Sequence, residues 1–296
     1  MELRQLEYFA AVAETANFTR AAARVHISQS GVSAQVKALE NELGAALFDR
    51  TGRTAQLTEA GRVALPYANT ALNAVAGLRQ VIDEVKGLVR GRLTIGMVTG
   101  CEVKPLFAAL AAVNREHPGI ALELAEENSD VLVGGVRAGL FDIALVGLAG
   151  EPPEHLAAHV IASEGLVALA PPGSELARMR RVPLSELTAY PLVTLPEGTG
   201  IRAVLDEAFV AKGLIPHVAL VASAPGAVAD LAARGLGIAV LSESMAPAYP
   251  DLTAVPIDGI ELPALLALVW RPRASAALSA LLPHLEKAFG GTRVSG

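Results

Sequence analysis

The chain has 296 residues, 52% of them hydrophobic and 18% charged, with a formal net charge of −6, which is typical of a globular protein of two or three domains and excludes a disordered one. Its single cysteine excludes an internal disulfide framework and a metal site of several cysteines. The first 92 residues carry 11 Lys and Arg against 9 Asp and Glu (net +2), and the rest carry 13 against 21 (net −8), so the acidic average hides an N-terminal part whose charge permits DNA binding.

The opening residues, MELRQLEYFAAVAE, are acidic and amphipathic. A signal peptide would instead begin with basic residues and continue with an apolar run. No uncharged stretch of the chain resembles a membrane span of ~20 apolar residues. We therefore expect a cytoplasmic protein.

Three short helical patterns follow one another in the first 45 residues. Apolar residues at helical spacing predict a first helix over residues 3–15. Asn17 or Thr19 can cap a second helix, and Ser28 can cap a third helix that reaches about residue 43. The short polar turn between the last two is typical of a helix-turn-helix.

The third helix combines an apolar stripe with a polar face. The stripe has i, i+4, i+7, i+11 spacing and is expected to be buried: Val32, Val36, Leu39 and Leu43. The opposite face carries Ser30, Ser33, Ala34, Lys37 and Asn41, with Gln29 at its exposed N-terminal end. Such side chains suit a DNA major groove, although an ordinary solvated helix face would also be polar.

A basic loop follows this helix. We expect Gly44 to end the helix and residues 56–58 to form a short strand. Between them, Arg50 and Arg53 flank Gly52 in a tight loop. The arrangement is typical of a winged helix-turn-helix, with arginines placed for phosphate or minor-groove contact.

These motifs resemble the LysR-type transcriptional regulators. The matching segments are LRQLEYFAAVAE, NFTRAAARVHISQSGVSAQVKALENELG and LFDRTGRTAQLTEAG, and the pattern LF-x-R-x-x-R-x-x-x-LT-x-AG over residues 47–61 is specific. The family often has proline where Ser30 stands and a polar or basic residue where Ala34 stands, so Ala34 removes one base contact. We expect bases to be contacted by Gln29, Ser30, Ser33 and Lys37, and the backbone or minor groove by Thr19, Ser28, Arg50 and Arg53.

Residues 59–89 predict one long helix. Apolar or small residues recur in alternating steps of four and three from Ala60 to Leu88, which is heptad spacing over four repeats. Such a helix should pack on a second copy, although a core helix of a single domain would show a similar pattern. In the family this segment is the dimerising linker helix.

From residue 90 onward, predicted strands alternate with helices, which is typical of parallel sheets with right-handed crossovers. The predicted strands are 93–98, 120–125, 143–146, 165–170, 192–195, 219–222, 238–241 and 265–270. The predicted helices are 102–116, 131–138, 201–212, 227–234 and 274–289.

The resemblance implies an α/β multidomain protein. A winged helix-turn-helix DNA-binding domain would cover 1–58, a linker/dimerisation helix 59–89, and a two-lobed periplasmic-binding-protein-like effector-binding domain 90–296. Lobe 1 would comprise about 93–161 and 266–292, and lobe 2 about 162–265.

Ligands of open α/β sheets gather beyond the carboxyl ends of the strands, where helix N-termini point inward. Hydroxyls and free N–H groups at such places favour a small anion such as a carboxylate. The candidate effector-binding residues are Thr99, Gly100, Cys101, Ser129, Thr199, Arg202 and Ser223. Each hydroxyl could equally be a plain helix cap, and only the family resemblance implies that they converge on one cleft.

Other functions need other features. A redox sensor could use Cys101, since a helix N-terminus lowers a thiol pKa. A solute-binding module would lack the first sixty residues and carry a signal peptide. An enzyme of the same two-lobed fold would need a catalytic cluster, and the sequence has neither a nucleophile elbow nor a phosphate loop. We therefore expect no catalytic residues, no metal and no cofactor.

The sequence thus predicts a LysR-type regulator with several partners. It would bind double-stranded promoter DNA as a homodimer or homotetramer and respond to a small, anionic effector. The resemblance also allows contact with RNA polymerase, and no membrane partner is expected.

Overall fold

A computed structural model describes most of the chain, over residues 1–49, 54–85, 91–101 and 103–290. Arg50 and Arg53 of the predicted wing lie outside the described residues, as does Glu102 at the predicted start of a helix. Within the described part the chain divides into an N-terminal unit and a larger C-terminal unit.

The N-terminal unit is mostly helical. Its elements are α1 (Leu3–Thr15), α2 (Phe18–Arg24), α3 (Gln29–Leu43), β1 (Phe48–Asp49), β2 (Gln56–Leu57) and α4 (Glu59–Val85). The two strands pair antiparallel, and α4 is one helix that continues through Pro66. The three short helices and the long helix were all predicted.

The apolar stripe of α3 lies in the core of this unit, where Val32, Val36 and Leu39 are fully buried. Leu43 is 47% exposed, so its predicted burial is wrong. It lies in the last turn before Gly44, whose φ of 70° directs the chain away from the helix. The residue that faces the core at this end of α3 is Glu40.

The C-terminal unit alternates strands and helices. Its elements are β3 (Gly91–Val98), α5 (Lys104–Glu116), β4 (Ile120–Glu127), α6 (Ser129–Ala138), β5 (Ile143–Ala149), β6 (Ala157–Glu164), β7 (Leu166–Ala170), β8 (Val182–Pro183), β9 (Leu192–Thr194), α7 (Gly200–Ala211), β10 (Val218–Val221), α8 (Pro225–Ala233), β11 (Ile238–Ser242), β12 (Thr253–Asp258), β13 (Ala264–Trp270) and α9 (Ala276–Phe289). Short 3₁₀ turns lie at Leu176–Arg178, Leu184–Ala189 and Glu243–Ala248.

The strands form two sheets, which define two lobes. Lobe 1 has the order β4-β3-β5-β13-β6, with α5, α6 and α9 against it, and lobe 2 has the order β10-β9-β11-β7-β12-β8, with α7 and α8. The chain passes from lobe 1 to lobe 2 between β6 and β7, and returns between β12 and β13.

The prediction of parallel sheets is wrong in part. β3 runs parallel to β4 and β5, but β13 runs antiparallel to β5 and β6, and both β11 and β12 run antiparallel to β7. Parallel neighbours need a long crossover, usually a helix. Here the chain passes between lobes without a helix, so the strands next to each passage are free to enter the sheet in the opposite direction.

Besides the two-residue strands β1 and β8, two longer strands were not predicted, β6 and β12. β6 has the sequence AAHVIASE, in which small residues replace the β-branched residues that mark a strand. β12 contains Pro256, and proline is uncommon inside a sheet because it lacks a backbone donor. The two longer strands that the local sequence did not reveal are therefore those that immediately precede the passages between the lobes.

The lobes meet where the first turn of α7 lies against the end of β5. A Cβ atom at Gly200 would lie 2.3 Å from the carbonyl carbon of Gly147 and 2.3 Å from the nitrogen of Leu148. The Asp130 N–H also donates a hydrogen bond to the Gly198 carbonyl, at 3.1 Å. Only glycine at position 200 allows this approach of the two backbones.

We predict opposite effects of alanine at two helical glycines of the C-terminal unit. Gly200→Ala should lower the free energy of unfolding by about 1–3 kcal/mol, because the backbone of β5 cannot yield. Gly134→Ala in α6, where no atom lies within 4 Å of the added Cβ, should raise it by about 0.4–1 kcal/mol. Urea unfolding followed by the fluorescence of Trp270 measures both, and equal effects would contradict the lobe contact.

Candidate functional site

Side-chain caps stabilise the starts of α2 and α3. Asn17 Oδ1 accepts hydrogen bonds from the N–H groups of Thr19 (2.8 Å) and Arg20 (3.0 Å). Ser28 Oγ accepts one from the Gly31 N–H at 3.1 Å. Because the first N–H groups of a helix have no partner within the helix, these bonds stabilise both helix starts. Of the two predicted caps of α2, Asn17 is the one used, and the predicted cap of α3 is confirmed.

The polar face of α3 is accessible. Gln29, Ser30 and Lys37 are exposed, and Ser33 is half-buried. Thr19 on α2 is also exposed, and the Ser28 and Ser30 hydroxyl oxygens lie 3.1 Å apart. The structure therefore gathers the predicted base-contacting residues along one helix, with three fully buried residues of the apolar stripe behind them.

One residue of this helix escaped the sequence analysis. Glu40 is 3% exposed, and its Oε1 accepts hydrogen bonds from the N–H groups of Leu47 (2.9 Å) and Phe48 (3.3 Å). The signal was its position, since it follows Leu39 and lies four residues after Val36, at the edge of the apolar stripe. A polar residue at such a position is a candidate for a structural bond rather than a solvated charge.

The C-terminal unit contains a cleft between its lobes. Its empty space is about 570 Å³ when the mouth open to solvent is included. The lining comes from both lobes and from the passages between them: Val98, Thr99, Cys101, Gly147, Glu164, Leu195, Thr199, Gly200, Ile201, Pro225, Ser242, Ser244, Met245, Ala264, Leu265 and Leu266. Most of these side chains are apolar.

Three predicted effector-binding residues line this cleft: Thr99, Cys101 and Thr199. Thr199 precedes α7, but its hydroxyl donates to the Pro196 carbonyl (2.8 Å) and does not cap the helix. The N–H groups of the first turn of α7 therefore have no side-chain cap.

The other four predicted residues do not line the cleft. Gly100 is exposed, and a Cβ there would lie 3.0 Å from Pro225. Ser129 is buried, and its Oγ accepts a hydrogen bond from the Gly147 N–H at 3.0 Å, so it supports a lining residue from behind. Ser223 is exposed before α8.

Arg202 is the fourth. Its Nε lies 2.8 Å from both carboxylate oxygens of Asp206, one turn further along α7. Its side chain is 11% exposed, and Nη2 lies 3.7 Å from a carboxylate oxygen of Glu197. Its charge is therefore directed to neighbouring carboxylates rather than into the cleft.

The cleft contains a carboxylate that was not predicted. Glu164 ends β6, and its two oxygens accept hydrogen bonds from the Ser244 N–H (2.7 Å) and hydroxyl (2.6 Å). Among the described residues, no Lys or Arg lines the cleft. The cleft therefore carries a negative charge with no cation beside it. Only its place at the passage between the lobes could have indicated Glu164 in advance.

Burial raises the pKa of the Cys101 thiol above its ordinary value. The lowering by a helix N-terminus that the redox alternative invoked is not found, because α5 begins only at Lys104, so Cys101 lies outside its first turn. At neutral pH the thiol is protonated and is a weak nucleophile.

The described ranges of the chain contain no group of three or more His, Cys, Asp or Glu residues placed to hold a metal ion. None of their helices has the length and apolar character needed to cross a membrane.

Two family models match the chain. Residues 3–62 match the model described as bacterial regulatory helix-turn-helix protein, lysR family. Residues 86–290 match the LysR substrate binding domain. The first match thus covers the three short helices and the two strands of the N-terminal unit, and the second match covers the two-lobed C-terminal unit.

Known proteins resemble the chain over most of its length. The RuBisCO operon transcriptional regulator of Allochromatium vinosum is 33% identical over 246 residues, which cover 82% of this chain and 80% of that protein. A full-length OxyR variant from Pseudomonas aeruginosa superposes with a TM-score of 0.68 at 23% identity, covering 97% of this chain and 95% of that one. Full-length CbnR in complex with its target DNA gives a TM-score of 0.59 at 24% identity, covering 97% and 100%. At these identities the two structures show a shared fold alone.

The family models and the fold agree. The expected architecture, a winged helix-turn-helix with a long linker helix and a two-lobed effector-binding domain, is confirmed. The chain is a DNA-binding transcriptional regulator with an effector-binding domain, and it is not an enzyme. It belongs to the LysR family.

Proposed function

We propose that each copy of this regulator inserts α3 into the major groove of promoter DNA. The observation that supports this most directly is the contrast on α3 between a largely exposed polar face and three fully buried apolar residues. The proposed base contacts are Gln29, Ser30, Ser33 and Lys37, and the proposed backbone or minor-groove contacts are Thr19, Ser28, Arg50 and Arg53. The last two lie outside the described residues and are proposed for their charge and their place in the motif.

We propose that the protein works as a homodimer or a homotetramer built from dimers. Two members of the predicted heptad seam, Tyr67 and Leu78, are 73% and 64% exposed on α4. Burying such side chains against a second copy removes apolar surface from water. The proposed division of the chain is therefore a DNA-binding domain (1–58), a dimerising helix (59–89) and an effector-binding domain (90–296). We propose that the protein acts in the cytoplasm and that RNA polymerase is an additional partner.

Exchange of one exposed glutamine should change base preference. Gln29→Ala should weaken binding to the preferred site by about 1–3 kcal/mol and relax preference at one base position, because a glutamine side chain can form two hydrogen bonds with adenine. The preferred site is obtained by selection from random duplexes with the wild-type protein, and affinities are measured by mobility shift on single-base variants of that site.

Gln35→Ala is the matched control, since Gln35 is an exposed glutamine on another side of the same helix. It should leave affinity and preference unchanged. If the two variants have the same base preference as the wild type, the proposed contact of Gln29 is wrong.

We propose that the effector carries both an acidic and a basic group, as an amino acid does. The uncapped first turn of α7 lines the cleft at Gly200 and Ile201 and favours an acidic group. Glu164 also lines the cleft, where the described lining residues include no Lys or Arg, and it favours an ammonium group. A simple carboxylate, as expected from sequence, would satisfy the helix and be repelled by Glu164.

This effector class can be tested with matched triplets of small molecules. Each triplet comprises an α-amino acid, the acid without its amino group and the amine without its carboxylate. In thermal shift and calorimetric titration of the full-length protein, an amino acid should bind and its two partners should not. Glu164→Gln should weaken that binding at least ~10-fold, about 1.4 kcal/mol.

Glu151→Gln is the control, because Glu151 is an exposed carboxylate that does not line the cleft. It should bind like the wild type. An acid that binds as tightly as its amino acid, with no effect of Glu164→Gln, would contradict the proposed class while leaving the cleft as an effector site.

Thiol chemistry should be slow at Cys101. Its raised pKa leaves little thiolate at pH 7.5, so iodoacetamide should modify the folded protein more than ~10-fold more slowly than the urea-unfolded protein. As the pH is raised, the labelling rate of the folded protein should increase at a higher pH than the labelling rate of the unfolded protein. The reason is that the raised pKa moves thiolate formation to a higher pH. Mass spectrometry reports Cys101 alone because it is the single cysteine, and rapid labelling of the folded protein would favour a redox-sensing regulator.

A further inference from the structure

Glu40 is a buried carboxylate at the base of the DNA-binding head. It is 3% exposed on α3, yet its Oε1 accepts both the Leu47 and the Phe48 backbone N–H groups, at 2.9 and 3.3 Å. Its Oε2 lies 3.7 Å from the Nζ of Lys37, one turn back on the same helix. One side chain therefore contacts both a residue of the polar face and the backbone that follows the helix.

The backbone held by Glu40 is the root of the wing. Phe48 begins β1 and pairs with Leu57 of β2. The Leu47 carbonyl accepts the Thr58 N–H at 3.0 Å, on the far side of the wing. The position of both wing strands relative to α3 therefore depends on the segment that Glu40 binds.

An apolar residue would be the simpler occupant of this site. Replacing a buried charge by a well-packed apolar side chain is often neutral or stabilising. At this position, however, an apolar residue would leave the N–H groups of Leu47 and Phe48 without the acceptor they have here. The main effect of the carboxylate is thus to hold the wing root in one position, rather than to stabilise the fold through its burial.

We propose that Glu40 is a positioning residue for DNA binding, which sets the wing against α3 so that both elements contact one duplex together. This inference rests on the proposed contacts of α3 and the wing with DNA. Glu40 itself does not reach the DNA, because it is buried on the core side of the helix.

The test compares Glu40→Gln with Glu40→Leu in the full-length protein. The glutamine amide oxygen can accept both N–H groups, whereas leucine fills the space and accepts neither. Binding is measured by fluorescence anisotropy over a series of salt concentrations. The probes are a duplex selected by the wild-type protein from a random library and a scrambled duplex of the same length. Glu42→Gln and Glu42→Leu are controls, since Glu42 is half-exposed on the same helix.

We expect Glu40→Gln to bind within ~3-fold of the wild type and Glu40→Leu to bind at least ~30-fold more weakly, with a shallower salt dependence, because each lost phosphate contact lowers the slope by about 0.9. A purely structural role would reduce the folded fraction and leave the slope unchanged. Both Glu42 variants should match the wild type.

Two results would overturn the proposal: Glu40→Leu with the wild-type slope, or Glu40→Gln as weak as Glu40→Leu. If Glu40→Leu does not fold, Glu40→Asp takes its place. The aspartate side chain is shorter than that of glutamate by one methylene, about 1.5 Å, so its carboxylate cannot accept both N–H groups. A wild-type slope for Glu40→Asp would then overturn it. A wild-type protein that selects no DNA sequence would instead overturn the proposed DNA contacts and, with them, this role.

Discussion

The close approach of Gly200 to Gly147 brings the two lobes of the C-terminal unit into backbone contact. With no Cβ at Gly200, the first turn of α7 lies directly on the backbone at the end of β5. This contact closes one side of the cleft and places Thr199 and Ile201 on its wall. The walls of the cleft therefore come from both lobes, and a ligand between them would contact both at once.

Two carboxylates, one buried and one half-buried, connect separate segments of this protein by accepting hydrogen bonds. Glu40 accepts backbone N–H groups from the wing root, and Glu164 accepts the N–H and the hydroxyl of Ser244. Glu40 joins α3 to backbone seven and eight residues further along the chain, whereas Glu164 joins segments that are 80 residues apart. Both carboxylates lie at a junction of the fold. Hydrogen bonds to a charged acceptor are stronger than those to a neutral one, so they suit junctions that must keep one geometry.

The position of Glu164 links the cleft to the passages between the lobes. It ends β6, immediately before the chain enters lobe 2, and its partner Ser244 follows β11 within lobe 2. An effector shifts a conformational equilibrium only by the difference of its affinities for the two states. The affinity of a group that pairs with Glu164 would depend on the relative position of the two lobes, because the hydrogen bonds of that carboxylate connect them.

The sequence alone determined the helical head, the long helix and the alternation of strands and helices, because periodicity and capping are local properties. Asn17 and Ser28 cap helices as predicted, and the family motif supplied the two-lobed fold. Tertiary structure decided the rest. The direction of β13, the burial of Glu40 and the place of Glu164 depend on which distant segments lie beside them. Arg202 differs from these, because the carboxylates that pair with its charge and keep it out of the cleft, Glu197 and Asp206, are close to it in the sequence.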